Sequence, residues 1–407
     1  MLKNILKIAL YFLIVLLALS LIPYFTTPVY DFPDRVPFTG NKLYNPYSGI
    51  QNGKWLKANY HAHSFAWAGF TNGRDNINNE MKERYSSLNY DIISISDYMK
   101  INTFMSNDKN YLPVYEHGFG FTKNHQLVIG AETVNWTDYP YYQNIDHKQK
   151  TLKEIKKADN IIVLVHPHLR NAYCKEDFKY LTGYDCIEVA NQNFGCADDY
   201  WDAALSSGYP VFCMADDDSH HSVNYCDIGR CYTMINVDSG SSPAQIIQSL
   251  KNGRTIAVDL NTDNKQSFEI LKSCSSNTPA LENFITNDSS FTLKLSKNVS
   301  GIIFTGQGGI MKATVLNANT ASYQFLPSDT YIRTTVICSD GSKLYLNPVL
   351  RYSGSQLPVY SASVNDSATL IFRFIYTTFA VILAAGFFYF KRRKYKKEIP
   401  VVSPAEY

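Results

Sequence analysis

Lys57-Ala58-Asn59-Tyr60-His61-Ala62-His63-Ser64 ends an extended segment on two histidines one residue apart. Side chains two apart on a strand point to the same face, so such a strand end presents two imidazoles to one metal ion. Alone, a His-x-His is as compatible with two core or solvated histidines. The way later apolar segments end separates the two readings. Asp97 closes Asp91-Ile92-Ile93-Ser94-Ile95-Ser96, and Glu132 follows Leu127-Val128-Ile129-Gly130-Ala131. His166 ends Ile161-Ile162-Val163-Leu164-Val165, and Asp218-Ser219-His220 follows Pro210-Val211-Phe212-Cys213-Met214-Ala215. Ligands placed repeatedly at the C-terminal ends of buried strands are what a metal site at the mouth of a parallel barrel requires.

Outward from this stretch, strand and helix signals alternate over about 200 residues, the pattern of a parallel sheet. Asp75 to Leu88 carries a helical pattern with Ile77, Met81 and Tyr85 on one face, and helices are also expected over Lys148 to Lys157, Asp198 to Ser207 and Pro243 to Lys251. From about Ser267 the texture turns to Thr, Ser and Asn with alternating apolar residues, as in Phe291-Thr-Leu-Lys-Leu and Gly301-Ile-Ile-Phe-Thr. These read as half-buried antiparallel strands of a small β-sandwich.

The chain has 407 residues, 45% of them hydrophobic, and a net charge of +2 that is unevenly placed. Ile8 to Tyr24 and Phe374 to Phe390 are apolar runs of about 17 residues, near the short end of what spans a bilayer. Lys3 and Lys7 precede the first, and Lys391 to Lys397 follow the second. The positive-inside rule then puts both termini in the cytoplasm and residues of about 26 to 372 outside. A cleaved signal peptide also fits the N-terminus, but the residues after the run are bulky, which favours an uncleaved anchor. Without its terminal basic residues the chain is mildly acidic, which argues against a nucleic-acid surface. All eight cysteines fall in the outer region, where disulfides persist, with Cys226 and Cys231 as the first candidate pair and Cys213 as a buried thiol. The expected organisation is an anchor (1–25), a tether (26–52), a hydrolase domain (53–262), the β-sandwich (263–355), a linker (356–372), a second span (373–391) and a basic tail (392–407).

Histidine and carboxylate ligands without a Cys-x-x-Cys suit zinc, manganese or iron, and permit a carboxylate to bridge two ions. The series His61-Ala-His63, Asp91 to Asp97, Gly130-Ala-Glu132, His166-Pro167-His168, Ile187-Glu188-Val189-x-Asn191 and Asp218-Ser-His220 resembles the polymerase and histidinol phosphatase (PHP) family. The resemblance covers about residues 55 to 260, with Ala244 to Val258 similar to the family's closing helix and strand. Tyr331 to Pro348 resembles the β-domain of some extracytoplasmic members. It implies a distorted (β/α)7 TIM-like barrel and metal-dependent phosphoesterase activity. By position, His61, His63, Glu132 and Asp218 would hold one divalent ion. Glu132 would bridge to a second held by His166, with Asn191 where some members place a further ligand. The third-site motifs depart from the family, reading Thr71-Asn72-Gly73 and Ser96-Asp97-Tyr98 and leaving His220, so two ions are expected.

Asp97 and His220 are the catalytic candidates, and His168, Arg170 and Asn191 the substrate contacts, although His168 and Arg170 also fit a solvated pair. Asp216 and Asp217 are either acceptors behind the ligands or a solvated acidic turn. Glu188 is expected to be structural or supporting, and His117, His125 and His147 to have no metal role. The expected activity is hydrolysis of a phosphate ester, on a phosphorylated small molecule or glycan, by a metal-activated water outside the cytoplasm. The same site also fits a carboxyl- or carbamate-ester hydrolase, or a degraded site retained by a surface binding protein.

Overall fold

The computed structural model describes residues 2–71, 73, 76–221, 227–238, 240–262 and 267–397. It divides into two compact units, one formed by residues 1–31 with 363–407 and the other by Phe32–Ala362. The first begins with helices α1 (Leu2–Ser20) and α2 (Ile22–Thr26) and the short strand β1 (Tyr30–Asp31).

The second unit runs β2 (Lys42–Tyr44), β3 (Lys54–Asn59), α3 (Asn78–Ser87), β4 (Ile92–Ile93), β5 (Val114–His117), β6 (Gln126–Ile129), α4 (Ile145–Ile155) and β7 (Ile161–Leu164). It continues β8 (Cys186–Asn191), β9 (Gly195–Cys196), α5 (Asp198–Ser206), β10 (Phe212–Asp216), β11 (Cys231–Val237), α6 (Pro243–Lys251) and β12 (Thr255–Asp259). It ends with α7 (Phe268–Asn277), β13 (Leu281–Thr286), β14 (Ser290–Gly306), β15 (Ile310–Gln324), β16 (Tyr331–Ile337) and β17 (Lys343–Tyr352).

Local chemistry sets the helix starts. Asn144 accepts the His147 N–H and His147 Nδ1 accepts the Asn144 N–H, a reciprocal cap that opens α4. Ser242 caps α6, with Pro243 in its first turn. Ile77, expected on the buried face of α3, instead precedes the helix and is exposed, while Met81 and Tyr85 are buried as expected.

Two sheets form the unit. One has the order β10-β8-β7-β6-β5 with β9 on β8; the other runs β13-β14-β16-β17-β12-β11-β3-β4 with β15 on β14 and β2 on β17. All four residues of β7 are fully buried, as an uninterrupted apolar run covered on both faces should be. Strands β3, β4, β5, β6, β7, β8 and β10 make a circuit whose two sheet junctions are isolated parallel bridges, Tyr98–Glu116 and Ala62–Ser219. The closed parallel barrel expected from the sequence is therefore not formed by continuous ladders. β6 also breaks the pattern, because it runs antiparallel to both β5 and β7.

The expected separate β-sandwich is likewise corrected. β17 pairs antiparallel with β12, Leu346 opposite Ile256 and Leu344 opposite Val258, so the C-terminal strands extend the sheet that begins at β3. The tether is ordered too, with β2 paired to β17 and Tyr47 buried, its hydroxyl donating to Thr255 O. Cys174, Cys186, Cys196, Cys213, Cys231 and Cys338 form no disulfide with one another, Cys213 is buried, and Cys226 lies outside the described residues.

The chain closes with β18 (Ser363–Val364), antiparallel to β1, and α8 (Asp366–Lys397). Leu2–Thr26 and Asp366–Arg393 are each long and apolar enough to cross a membrane.

Candidate metal centre

β3 delivers His61 and His63 just past its C-terminal end, β7 delivers His166, and β10 delivers Asp218, all to one end of the circuit. Asp218 Oδ1 lies 3.2 Å from each of His61 Nε2, His63 Nε2 and His220 Nε2. Its backbone is left-handed at φ 52°, as is that of His166 at φ 29°, conformations that L-residues adopt only at a cost.

The carboxylate that completes the group is Glu116 on β5, not Glu132. Its Oε1 lies 2.5 Å from His125 Nδ1, 3.3 Å from His166 Nε2 and 3.5 Å from His61 Nε2, and its Oε2 lies 3.0 Å from His63 Nε2. The direction of β6 explains the exchange. Because β6 is antiparallel, its C-terminal end, followed by Glu132, points to the opposite end of the sheet, where Gly130 and Ala131 donate to Pro113 O at the start of β5. Glu132 is exposed there. The start of the same strand brings His125, expected to stand apart from any metal site, into the cluster beside Glu116 and His166. A Cβ at Gly118 would lie 2.6 Å from the His125 ring, which makes a glycine necessary after β5. A hairpin reading of 114–129 would have signalled both residues, since it sets His117 opposite Gln126 and so brings His125 beside the end of β5.

The donor set fits divalent ions. His61 Nε2, His63 Nε2, Glu116 Oε2 and both Asp218 oxygens are buried without a hydrogen-bond partner. They converge at 3.0–3.2 Å, close to the roughly 3.3 Å between two ligands of one tetrahedral ion bonded at about 2.0–2.1 Å. Four overlapping groups emerge: His61/His63/Glu116, His61/His166/Asp218, His63/Asp218/His220 and Glu116/His125/His166. Behind them, Glu188 Oε1 accepts from His61 Nδ1 at 2.9 Å, and its Oε2 accepts the His166 N–H at 2.8 Å and the Asn191 amide at 2.9 Å. That carboxylate fixes the tautomer that turns Nε2 of His61 inward.

Electrostatics reinforce the grouping. Burial pulls the His61 pKa down, but Asp218, Glu116 and Glu188 override it and hold it well above the usual histidine range. Burial raises the Glu116 and Asp218 carboxyls, yet the surrounding imidazoles keep both well below theirs. Burial outweighs Glu116 at His125 and pulls that ring below the usual histidine range. Ions and protons compete for such atoms, so metal binding here releases protons.

The remaining candidates sit apart from the convergence. Asp97 accepts from the Ser64 N–H and hydroxyl and from Asn102, tying together the loops after β3 and β4. Tyr98 stacks on His63 with centroids 4.3 Å apart, and burial, then the Glu116 and Asp218 charges, keep its phenol protonated. His168 Nε2 donates to Phe194 O, Asn191 Oδ1 receives the Asn193 and Phe194 N–H groups, and Arg170 is exposed. Asp216 and Asp217 are fully buried and accept backbone N–H groups of Tyr60, Gly229 and Cys231, which rules out a solvated turn. His117 bonds Gln126 and Thr137, away from the cluster, while Asn72 lies outside the described residues.

No protein-family model and no curated protein matches the chain. Among solved structures it is similar to a two-domain Bacteroides vulgatus protein described as containing a predicted PHP-like metal-dependent phosphoesterase, at 13% identity over 82% of this chain and 100% of that one, with a TM-score of 0.37. It is also similar to PsfC from Pseudomonas syringae, at 13% identity over 55% of this chain and 100% of that one, with a TM-score of 0.36. Likeness at this level fixes neither family nor activity.

Proposed function

We propose that the protein is a metal-dependent hydrolase of phosphate esters that holds two divalent ions at one end of a distorted seven-strand barrel. The observation that carries this reading is the convergence of buried, partnerless nitrogen and oxygen donors from β3, β5, β7 and β10. His61, His63, Glu116 and Asp218 would hold one ion, and His125 and His166 beside Glu116 would hold a second. Bound there, such ions would supply charge neutralisation for a phosphoryl group and a more acidic water. His220, its side chain 13% exposed against 1% for Asp218, stands at the opening and donates the proton to the leaving oxygen. Glu188 orients His61 and the backbone of His166, and Asp97 fixes the loop that carries His63.

In this reading α1 and α8 are membrane anchors with the hydrolase outside the cytoplasm, supported by their apolar length and the basic residues on their outer flanks. The test is metal analysis of the purified chain with assays on phosphate, carboxyl and carbamate esters in zinc, manganese and iron. Two ions per chain and turnover of phosphate esters alone are expected. Glu116→Gln should lower metal content and cut turnover about a hundredfold or more, while the exposed Glu132→Gln stays within about twofold of the parent. Metal-free protein from metal-supplemented preparations, or full activity in Glu116→Gln, would end the proposal.

A further inference from the structure

The loops around the metal centre carry an unusual surface. Of the large hydrophobic side chains exposed between residues 60 and 145, all but Ile77 are aromatic. Trp67, 46% exposed, donates its indole N–H to Tyr98 O at 2.8 Å, and Tyr98 is the ring stacked on His63. Trp136, 60% exposed, meets Trp67 edge-on at 5.9 Å. Phe121, 69% exposed, pairs with Tyr141, and its carbonyl accepts from Arg170. Lys123 places its ammonium 5.5 Å from the Tyr98 ring. Flat aromatic faces and two cations therefore surround the opening.

Such faces attract the polarised C–H groups of a sugar or cyclitol ring through their quadrupoles, whereas acyl chains select aliphatic contacts, and Ile77 is the one aliphatic side chain among the described large hydrophobics exposed between residues 60 and 145. The path of the chain points the same way. Arg35 on the incoming segment donates to Phe178 O and Lys179 O and lies over Tyr209, and the outgoing Ala362 N–H donates to Thr182. Thr182 and Tyr209 precede β8 and β10, whereas the cluster follows the C-terminal ends of the strands. Nine residues of nearly extended chain, up to about 30 Å, separate Tyr209 from Asp218. The first and last segments of this unit thus lie at its end opposite the aromatic opening.

Resting on the phosphoesterase reading, we propose that this rim selects phosphate esters of ring-shaped polyols, sugar or cyclitol phosphates of the kind found in glycans, over acyclic and lipid phosphates. The phosphate meets Lys123, Arg170 and the metal centre while the ring lies on Trp67 and Trp136. The experiment compares glucose 6-phosphate and inositol 1-phosphate with glycerol 3-phosphate and phosphatidate vesicles, using the metal-loaded full chain in detergent. Hydrolysis and tryptophan fluorescence are followed in parallel.

The ring substrates should show KM values at least tenfold lower than glycerol 3-phosphate. Trp67→Ala with Trp136→Ala should erase that difference by raising KM for the ring substrates to the level of glycerol 3-phosphate. Equal KM values, a preference that survives the double substitution, or saturable fluorescence changes with phosphatidate but not with sugar phosphates would overturn the proposal. Fluorescence saturation by sugar phosphates without turnover of any ester, lost in the double variant, would support the rim and sink the hydrolase.

Discussion

Lys57 is a basic residue almost wholly inside the protein, with its ammonium 4.2 Å from the ring centres of Tyr90 and Tyr232 and donating to Leu88 O and Ser275 Oγ. Burial, only partly offset by Asp217 and Asp91, lowers its pKa to about 8. The unfolded chain holds this proton up to about pH 10.5, so between the two values the unfolded state binds more protons and stability rises with pH. Below pH 8 the penalty is fully present. The difference in stability between the parent and Lys57→Met should therefore shift by up to roughly 3 kcal/mol in the parent's favour from pH 7 to pH 10, measured as urea midpoints of the extramembrane unit. At the same scale, His61, His63, His166, Asp218 and His220 were legible because each follows a strand whose apolar run is visible in the sequence. Glu116 and His125 were not, because whether a strand end faces the site depends on strand direction, and the period-two signal of β6 is the same read either way.

Between elements, the tie from α5 to β16 is made by a buried guanidinium. Arg333 donates from Nε to Asp202 Oδ1 at 2.8 Å and from Nη2 to Asp202 Oδ2 at 2.6 Å and Asp198 Oδ2 at 2.9 Å, while the Tyr331 hydroxyl adds a third bond to Asp202. Asp202→Ala leaves that cation buried and undercompensated, and is expected to cost about 3–5 kcal/mol. Replacing both partners, as in Asp202→Leu with Arg333→Met, should recover most of the loss. Thermal melts of the three variants decide it: equal losses in the single and double variants would show that packing, not charge, makes the tie. This contact also explains a misjudged element. Alternation in Tyr331 to Ile337 reads as a half-buried strand, yet Tyr331 to Thr335 are all buried, because α5 covers the face that the sequence would leave to solvent.

Across the whole molecule, the two halves of the sequence share a sheet instead of meeting as separate domains. Asn347, on β17, accepts the Cys213 N–H and donates to Gly253 O and Thr255 O, so the last strand fills hydrogen bonds of the first half. A fragment ending at 262 loses these bonds and exposes β12 as an apolar sheet edge, a template for aggregation. Residues 32–262 should therefore be recovered as aggregate and 32–362 as monodisperse protein by size-exclusion chromatography. The boundary near 262 was visible as a change of texture, but composition carries no record of which strand edges are filled.

The twisted backbone at Asp218 carries a last implication. Glycine would occupy that φ of 52° without the penalty that aspartate bears, about 1–2 kcal/mol. That strain is set against three imidazoles, His61, His63 and His220, which would lose their shared carboxylate in Asp218→Gly.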